Sequence, residues 1–189
     1  MKNIIFIRHG ETDQNLIEQA AAKTNQNHFA GVEDEDYPLN QNGASQVEKT
    51  AEDLKNARID VIFCSPLQRA VQSAEIINKH HHVPIIKRDG LKERRAGDYV
   101  GAAFHELFDL DKNIEDESIE TIRDFVKRVY GVLDEIAESK YEDIAIVAHG
   151  GVHHAVRAYC LKLPLKGNIR VERVKNGEIR LYKLNEEQK

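Results

Sequence analysis

Cysteine is scarce in this chain, and where it occurs it excludes a disulfide framework. Cys64 closes the apolar run Val61-Ile62-Phe63-Cys64 and Cys160 falls in a helical pattern, so each reads as a small apolar residue in a reducing setting. Long hydrophobic runs are missing too. The apolar residues before Arg8 are too few for a signal-peptide core, and no later stretch nears membrane-spanning length. A cytoplasmic protein without a membrane partner is therefore expected. Positive charge is in deficit, with 27 Lys and Arg against 32 Asp and Glu and a formal charge of −5. Non-specific nucleic-acid binding needs basic excess along one face, so no nucleic-acid partner is expected and any anion site must be locally basic. Repeats and low-complexity linkers are absent from the 189 residues, which predicts a single domain over 1–189 with a sizeable core.

What is present alternates between strand and helix. Strand-like runs recur at Ile4–Ile7, Asp60–Cys64, Val83–Lys87 and Ile144–Ala148. Between them, Gly43 to Ala57 carries an apolar stripe at Ala44, Val47, Ala51 and Leu54. Ser65-Pro66 reads as an N-cap and first helical residue for a helix bearing Leu67, Ala70, Ala74 and Ile77. The longest helix is predicted from about Ser118 to Glu138, and the tail Ile169–Val174, Asn176-Gly177, Ile179–Leu184 reads as a β-hairpin. This order predicts a three-layer α/β/α fold around a mostly parallel sheet. Two irregular stretches, about 14–37 and 97–117, each follow a strand-end motif and are expected to form a small cap over the carboxyl edge.

Ligands in such sheets bind beyond the carboxyl ends of the strands. Four segments reach that edge: Arg8-His9-Gly10, Ser65 to Ala70, Leu91 to Arg94, and His149-Gly150-Gly151. They bring arginines, two histidines, a carboxyl group and helix N-terminal amides, an inventory suited to a phosphoryl group. Arg8 and Arg69 offer forked donors, and the amides near Gly150 and Gly151 add a helix-terminus anion site. Neighbouring arginines disfavour an imidazolium, which leaves His9 a ring nitrogen for attack on phosphorus. Glu93 would supply the proton a departing alkoxide needs.

The motif Arg8-His9-Gly10-Glu11-Thr12 resembles the signature of the histidine phosphatase superfamily, the phosphoglycerate-mutase-like fold. Further blocks match in order: Asp36 to Asn40 with Gly43 and Gln46; Ser65 to Ala74; Leu91-Lys92-Glu93 with Gly97 and Gly101; Glu117-Ser118; and Val147 to Gly151. A lone Arg-His-Gly arises by accident in on the order of one in a hundred such chains; several ordered blocks do not. The resemblance implies a metal-independent phosphomonoester hydrolase of the histidine acid type, without a cofactor. In it His9 would be the phosphohistidine nucleophile, Arg8, Arg69 and His149 the phosphate clamp, and Glu93 the proton donor and then base. Asn15 would contact the phosphate, with Thr12 beside it and Gly150 at the helix terminus. The partner would be a small phosphorylated metabolite or, second, a phosphoprotein; no surface predicts an oligomeric state.

The chain departs from the family pattern between Asn15 and Pro38, which is long and carries Glu33-Asp34-Glu35-Asp36, and at Val100 and Asp116. An acidic run facing the pocket would disfavour polyanionic substrates. Two rival readings are a phosphoglycerate mutase and an idle phospho-ligand or protein-interaction module. The short, acidic stretch from Gly101 to Glu117 speaks against the mutase, and the intact catalytic set against the idle module. His80-His81-His82 reads as a solvated turn rather than a metal site, because consecutive side chains diverge. Of His153 and His154 at most one can face the pocket, with surface placement expected.

Overall fold

The computed structural model describes residues 1–17, 36–95, 109–111, 119–172 and 174–184. Most of both expected cap segments lies outside these residues, including Glu33 to Glu35, Gly97, Val100, Gly101 and Asp116 to Ser118. Among the described residues, five strands form one sheet in the order β3-β2-β4-β1-β5. They are β1 (Lys2–Arg8), β2 (Val61–Cys64), β3 (Ile85–Lys87), β4 (Asp143–Ala148) and β5 (Ile179–Leu184). The first four pair in parallel and β5 runs antiparallel along β1.

Among the described residues, helices α1 (Gln41–Leu54), α2 (Gln68–Asn78), α3 (Ile122–Glu138) and α4 (Gly150–Cys160) cover the two faces. The layers follow from alternation along the strands, because successive side chains point to opposite faces. Ile4 and Phe6 join Phe125, Leu133 and Val152 of α3 and α4. Ile5 and Ile7 join Val47, Ala51, Ala70 and Ala74 of α1 and α2. A fully buried Phe or Leu contributes about 1.5–3 kcal/mol by leaving water, so these two cores anchor the sheet whose carboxyl edge carries the site. No helix among the described residues is long and apolar enough to cross a membrane.

Three local expectations are corrected. Helix α2 begins at Gln68 with Leu67 as its unassisted N-cap, two residues beyond Pro66. Its first amide, Gln68 N–H, donates instead to the carboxylate of Asp36, 32 positions away. Asp36 is the one residue of the acidic run that is described, and its carboxylate is engaged in capping α2. The tail is not a hairpin: β5 takes β1 as its partner, and the described part of 169–174 forms no strand. The Asn176-Gly177 turn is real, with Gly177 at φ +73°. Helix α3 starts at Ile122, capped by Thr121, whose hydroxyl accepts the Asp124 amide at 3.1 Å. Both cysteines are free, Cys64 buried and Cys160 half-buried, and burial pushes their thiols up to about 11 and about 12.

Candidate active site

β1 and β4 are neighbours in parallel register, Arg8 opposite Ala148, so the residues that follow them emerge side by side. His9 N–H donates to the Ala148 carbonyl at 2.9 Å. The His9 and His149 rings lie 5.0 Å apart between centroids, inclined by 59°. β2 flanks β4 on its other side, and Ser65 N–H donates to the Val147 carbonyl at 3.0 Å. That places the Ser65 hydroxyl 2.8 Å from His149 Nε2. Arg69, in the first turn of α2, is buried, as are Arg8, His9, Thr12, Asn15 and His149. Burial first, then the positive field of Arg69 and of Arg8, holds the His149 imidazole well below its ordinary range, so its ring is neutral.

The loop after β1 is fixed atom by atom. His9 Nδ1 lies 2.6 Å from the Gly10 carbonyl. A carbonyl only accepts, so Nδ1 carries a proton, and in a neutral ring Nε2 is the nitrogen that keeps the lone pair. Three successive amides are then taken by side chains: Gly10 N–H by Ser73 Oγ at 3.1 Å, Glu11 N–H by Gln46 Oε1 at 3.0 Å, and Thr12 N–H by Asn15 Oδ1 at 3.3 Å. Asn15 N–H returns to Thr12 Oγ1 at 3.3 Å, a reciprocal cap on the helical turn at 13–17. With these amides occupied, an anion here must be bound by side chains and by the start of α4.

Arg8 and Gly150 meet at that start. A Cβ placed on Gly150 would lie 3.8 Å from Arg8 Nε, so the guanidinium runs alongside the helix N-terminus, and its Nη1 donates to the Val174 carbonyl at 2.8 Å. Glu93 arrives from the turn after β3. Its Oε2 accepts Gly151 N–H at 2.9 Å, and its Oε1 accepts Arg94 N–H at 3.0 Å. The carboxylate thus sits on the positive end of α4, one residue beyond Gly150. All four sequence-predicted segments converge on one edge.

Comparison with known families decides the identity: the model of the histidine phosphatase superfamily, branch 1, matches residues 4–189. The chain belongs to this superfamily. It is 35% identical over 157 residues to the uncharacterized phosphatase PhoE of Bacillus subtilis, covering 82% of this chain and 76% of that protein. Among solved structures it is similar to the alpha-ribazole phosphatase of Shigella flexneri, with a TM-score of 0.77 and 23% identity over 97% of this chain and 91% of that one. A mycobacterial glucosyl-3-phosphoglycerate phosphatase superposes with a TM-score of 0.75 and 22% identity over 95% and 89%. These likenesses confirm the phosphoglycerate-mutase-like α/β fold.

Sequence reasoning missed several supports of this histidine phosphatase site. Arg128 of α3 donates to the carbonyls of Gly90, Lys92 and Glu93 at 2.7–2.9 Å and pairs with both oxygens of Glu120, which fixes the turn carrying Glu93. Asn176 Nδ2 donates to the His9 carbonyl at 3.0 Å and to Asn15 Oδ1 at 3.1 Å. In the sequence Asn176 reads only as part of a turn and Arg128 carries no local signal, because their partners lie far off in sequence. His153 and His154 correct an expectation: both are buried. His153 Nε2 lies 2.6 Å from the Tyr182 hydroxyl and its ring packs on Phe6, while His154 Nδ1 accepts Val171 N–H. Burial pushes them down to about 4 and about 3. His80 and His82 lie exposed in a turn, and among the described residues no cluster of three or more ligating side chains is assembled.

Proposed function

We propose that this phosphatase hydrolyses small phosphomonoesters by two in-line transfers through phospho-His9, without a metal or cofactor. The observation that carries the reading is the pairing of the His9 and His149 rings, 5.0 Å apart, with His9 Nδ1 held by the Gly10 carbonyl and His149 kept neutral by burial and by nearby Arg69 and Arg8. In the first transfer the Nε2 lone pair forms a bond to phosphorus as the ester P–O bond breaks, and Glu93 gives a proton to the departing oxygen. In the second, Glu93 takes a proton from water as its oxygen bonds phosphorus and the P–N bond returns its electrons to Nε2. Arg8, Arg69, His149, Asn15 and the start of α4 at Gly150 bind the phosphoryl oxygens, with Thr12 steadying Asn15. Positioning and electrostatic stabilisation supply most of the rate in such a transfer, and two guanidinium groups would repel a divalent cation.

The match from residue 4 to 189 supports reading the chain as one catalytic domain, and two free cysteines support a cytoplasmic setting. Relatives named for alpha-ribazole and glucosyl-3-phosphoglycerate make small phosphorylated metabolites the class to screen, ahead of phosphoproteins. Purified protein with EDTA should release phosphate from p-nitrophenyl phosphate and from members of a metabolite panel. Isomerisation of 3-phosphoglycerate without phosphate release would make it a mutase. Phosphate binding with no turnover of any ester would make it an idle module.

A further inference from the structure

We infer that Ser65 sets the tautomer of His149, donating its hydroxyl proton to Nε2 so that Nδ1 carries the hydrogen and donates to the phosphoryl group. The inference rests on the proposed function, since it needs an anion at His149. Three observations carry it. The Ser65 oxygen is fully buried and lies 2.8 Å from His149 Nε2. The same oxygen accepts Leu67 N–H at 3.3 Å, which spends one lone pair in a tight local turn and leaves the hydroxyl its single proton to place. On the far side of the ring, His149 Nδ1 is buried and has no hydrogen-bond partner among the described residues, although the residue is only 1% exposed.

A buried polar atom without a partner is costly, and a ligand that satisfies it defines what the atom must be. A phosphoryl oxygen accepts, so Nδ1 must be N–H. A neutral imidazole holds one ring proton, and burial, with the positive surroundings second, keeps His149 neutral. Nε2 is then a lone pair, and the group facing it must donate. If Ser65 accepted from Nε2 instead, its own buried proton would have no acceptor among the described residues, and Nδ1 would turn a lone pair toward the phosphoryl oxygens. Ser65 is therefore a positioning residue that acts through His149. Its place at the end of β2, held by the Val147 carbonyl at 3.0 Å, makes the arrangement rigid before substrate arrives.

Histidine-selective 15N labelling tests this directly, because two-bond 1H–15N spectra separate the two tautomers and the imidazolium. A His149→Gln variant identifies the resonances. Wild-type protein at pH 7.5 should show His149 with a pyrrole-type Nδ1 and a pyridine-type Nε2, and Ser65→Ala should move it toward the opposite tautomer. The same variant should lower kcat/KM for p-nitrophenyl phosphate by about 10²-fold, the low end of what one lost oxyanion donor costs. An Nε2–H or doubly protonated His149 in the wild type would overturn the inference, as would a tautomer unchanged in Ser65→Ala. The wild-type spectrum decides even where the variant folds poorly. Titration with orthophosphate keeps the two readings apart: if the phosphoryl site itself is wrong, the anion leaves the His149 and His9 nitrogens unmoved whatever the tautomer.

Discussion

In the proposed mechanism His9 and Glu93 divide the chemistry by how each is held. The Gly10 carbonyl fixes the proton of His9 on Nδ1, whereas Glu93 is anchored by two backbone amides, those of Gly151 and Arg94. A glutamine keeps the shape but accepts from only one of those amides, its NH2 facing the other, and it cannot act as the proton donor. Glu93→Gln should therefore lower kcat by about 10²–10³ for alkyl phosphates, and far less for p-nitrophenyl phosphate, whose leaving group needs little help. Steady-state rates over a leaving-group series check this, and an equal loss across the series would remove Glu93 from the proton-transfer role. That these residues converge on one sheet edge was legible because each follows a strand-like run within one short motif. Ser65, Asn176 and Arg128 were not, since their roles consist of bonds to atoms 84, 161 to 167 and 35 to 38 positions away.

At the scale of elements, the loop after β1 and the start of α1 touch backbone to backbone. A Cβ on Gly43 would lie 2.0 Å from the Glu11 carbonyl oxygen, and one on Gly10 would lie 2.3 Å from the Gly43 carbonyl oxygen. Only two glycines allow that crossing, and through it α1 presents Gln46 to the Glu11 amide. Gly43→Ala should cost about 1–3 kcal/mol of stability by overpacking, read from urea unfolding, and should slow turnover by displacing the His9 loop. A loss below about 0.5 kcal/mol would show that the contact can relax. Strands β1, β2 and β4 and helix α1 were readable from local apolar spacing. The start of α2 and the partner of β5 were not: a distant carboxylate caps the one, and an open sheet edge on β1 captures the other. The Asn-Gly signal located the turn correctly but could not say which strand β5 would meet.

The molecule as a whole buries more histidine than its polar pattern suggests, and this shapes its response to acid. Above pH 6.5 His153 and His154 are neutral in both folded and unfolded chains and add no pH dependence. As the pH falls through 6.5 the unfolded chain takes up protons that the folded one refuses, until the folded values of about 4 and about 3 are reached. Stability should fall in that window by up to about 1.4 kcal/mol per pH unit for each histidine. Asp60 and Glu135, held below ordinary values of 3.8 and 4.5, add their losses only further down. Urea unfolding from pH 7.5 to 5 should show the decline, flattened in His153→Gln by about one proton's worth of slope; a flat wild-type profile would contradict neutral burial. The proposed reaction, too, belongs to the assembled edge, where β1, β2, β4 and the turn before Glu93 meet. Rapid quenching during turnover of 32P-labelled phosphomonoester, with alkaline work-up and peptide mapping, tests it most directly. Acid-labile, alkali-stable phosphate should appear on His9, and His9→Ala should lose both the label and phosphate release. A His9→Ala protein that still turns over ester and still traps label would contradict the mechanism.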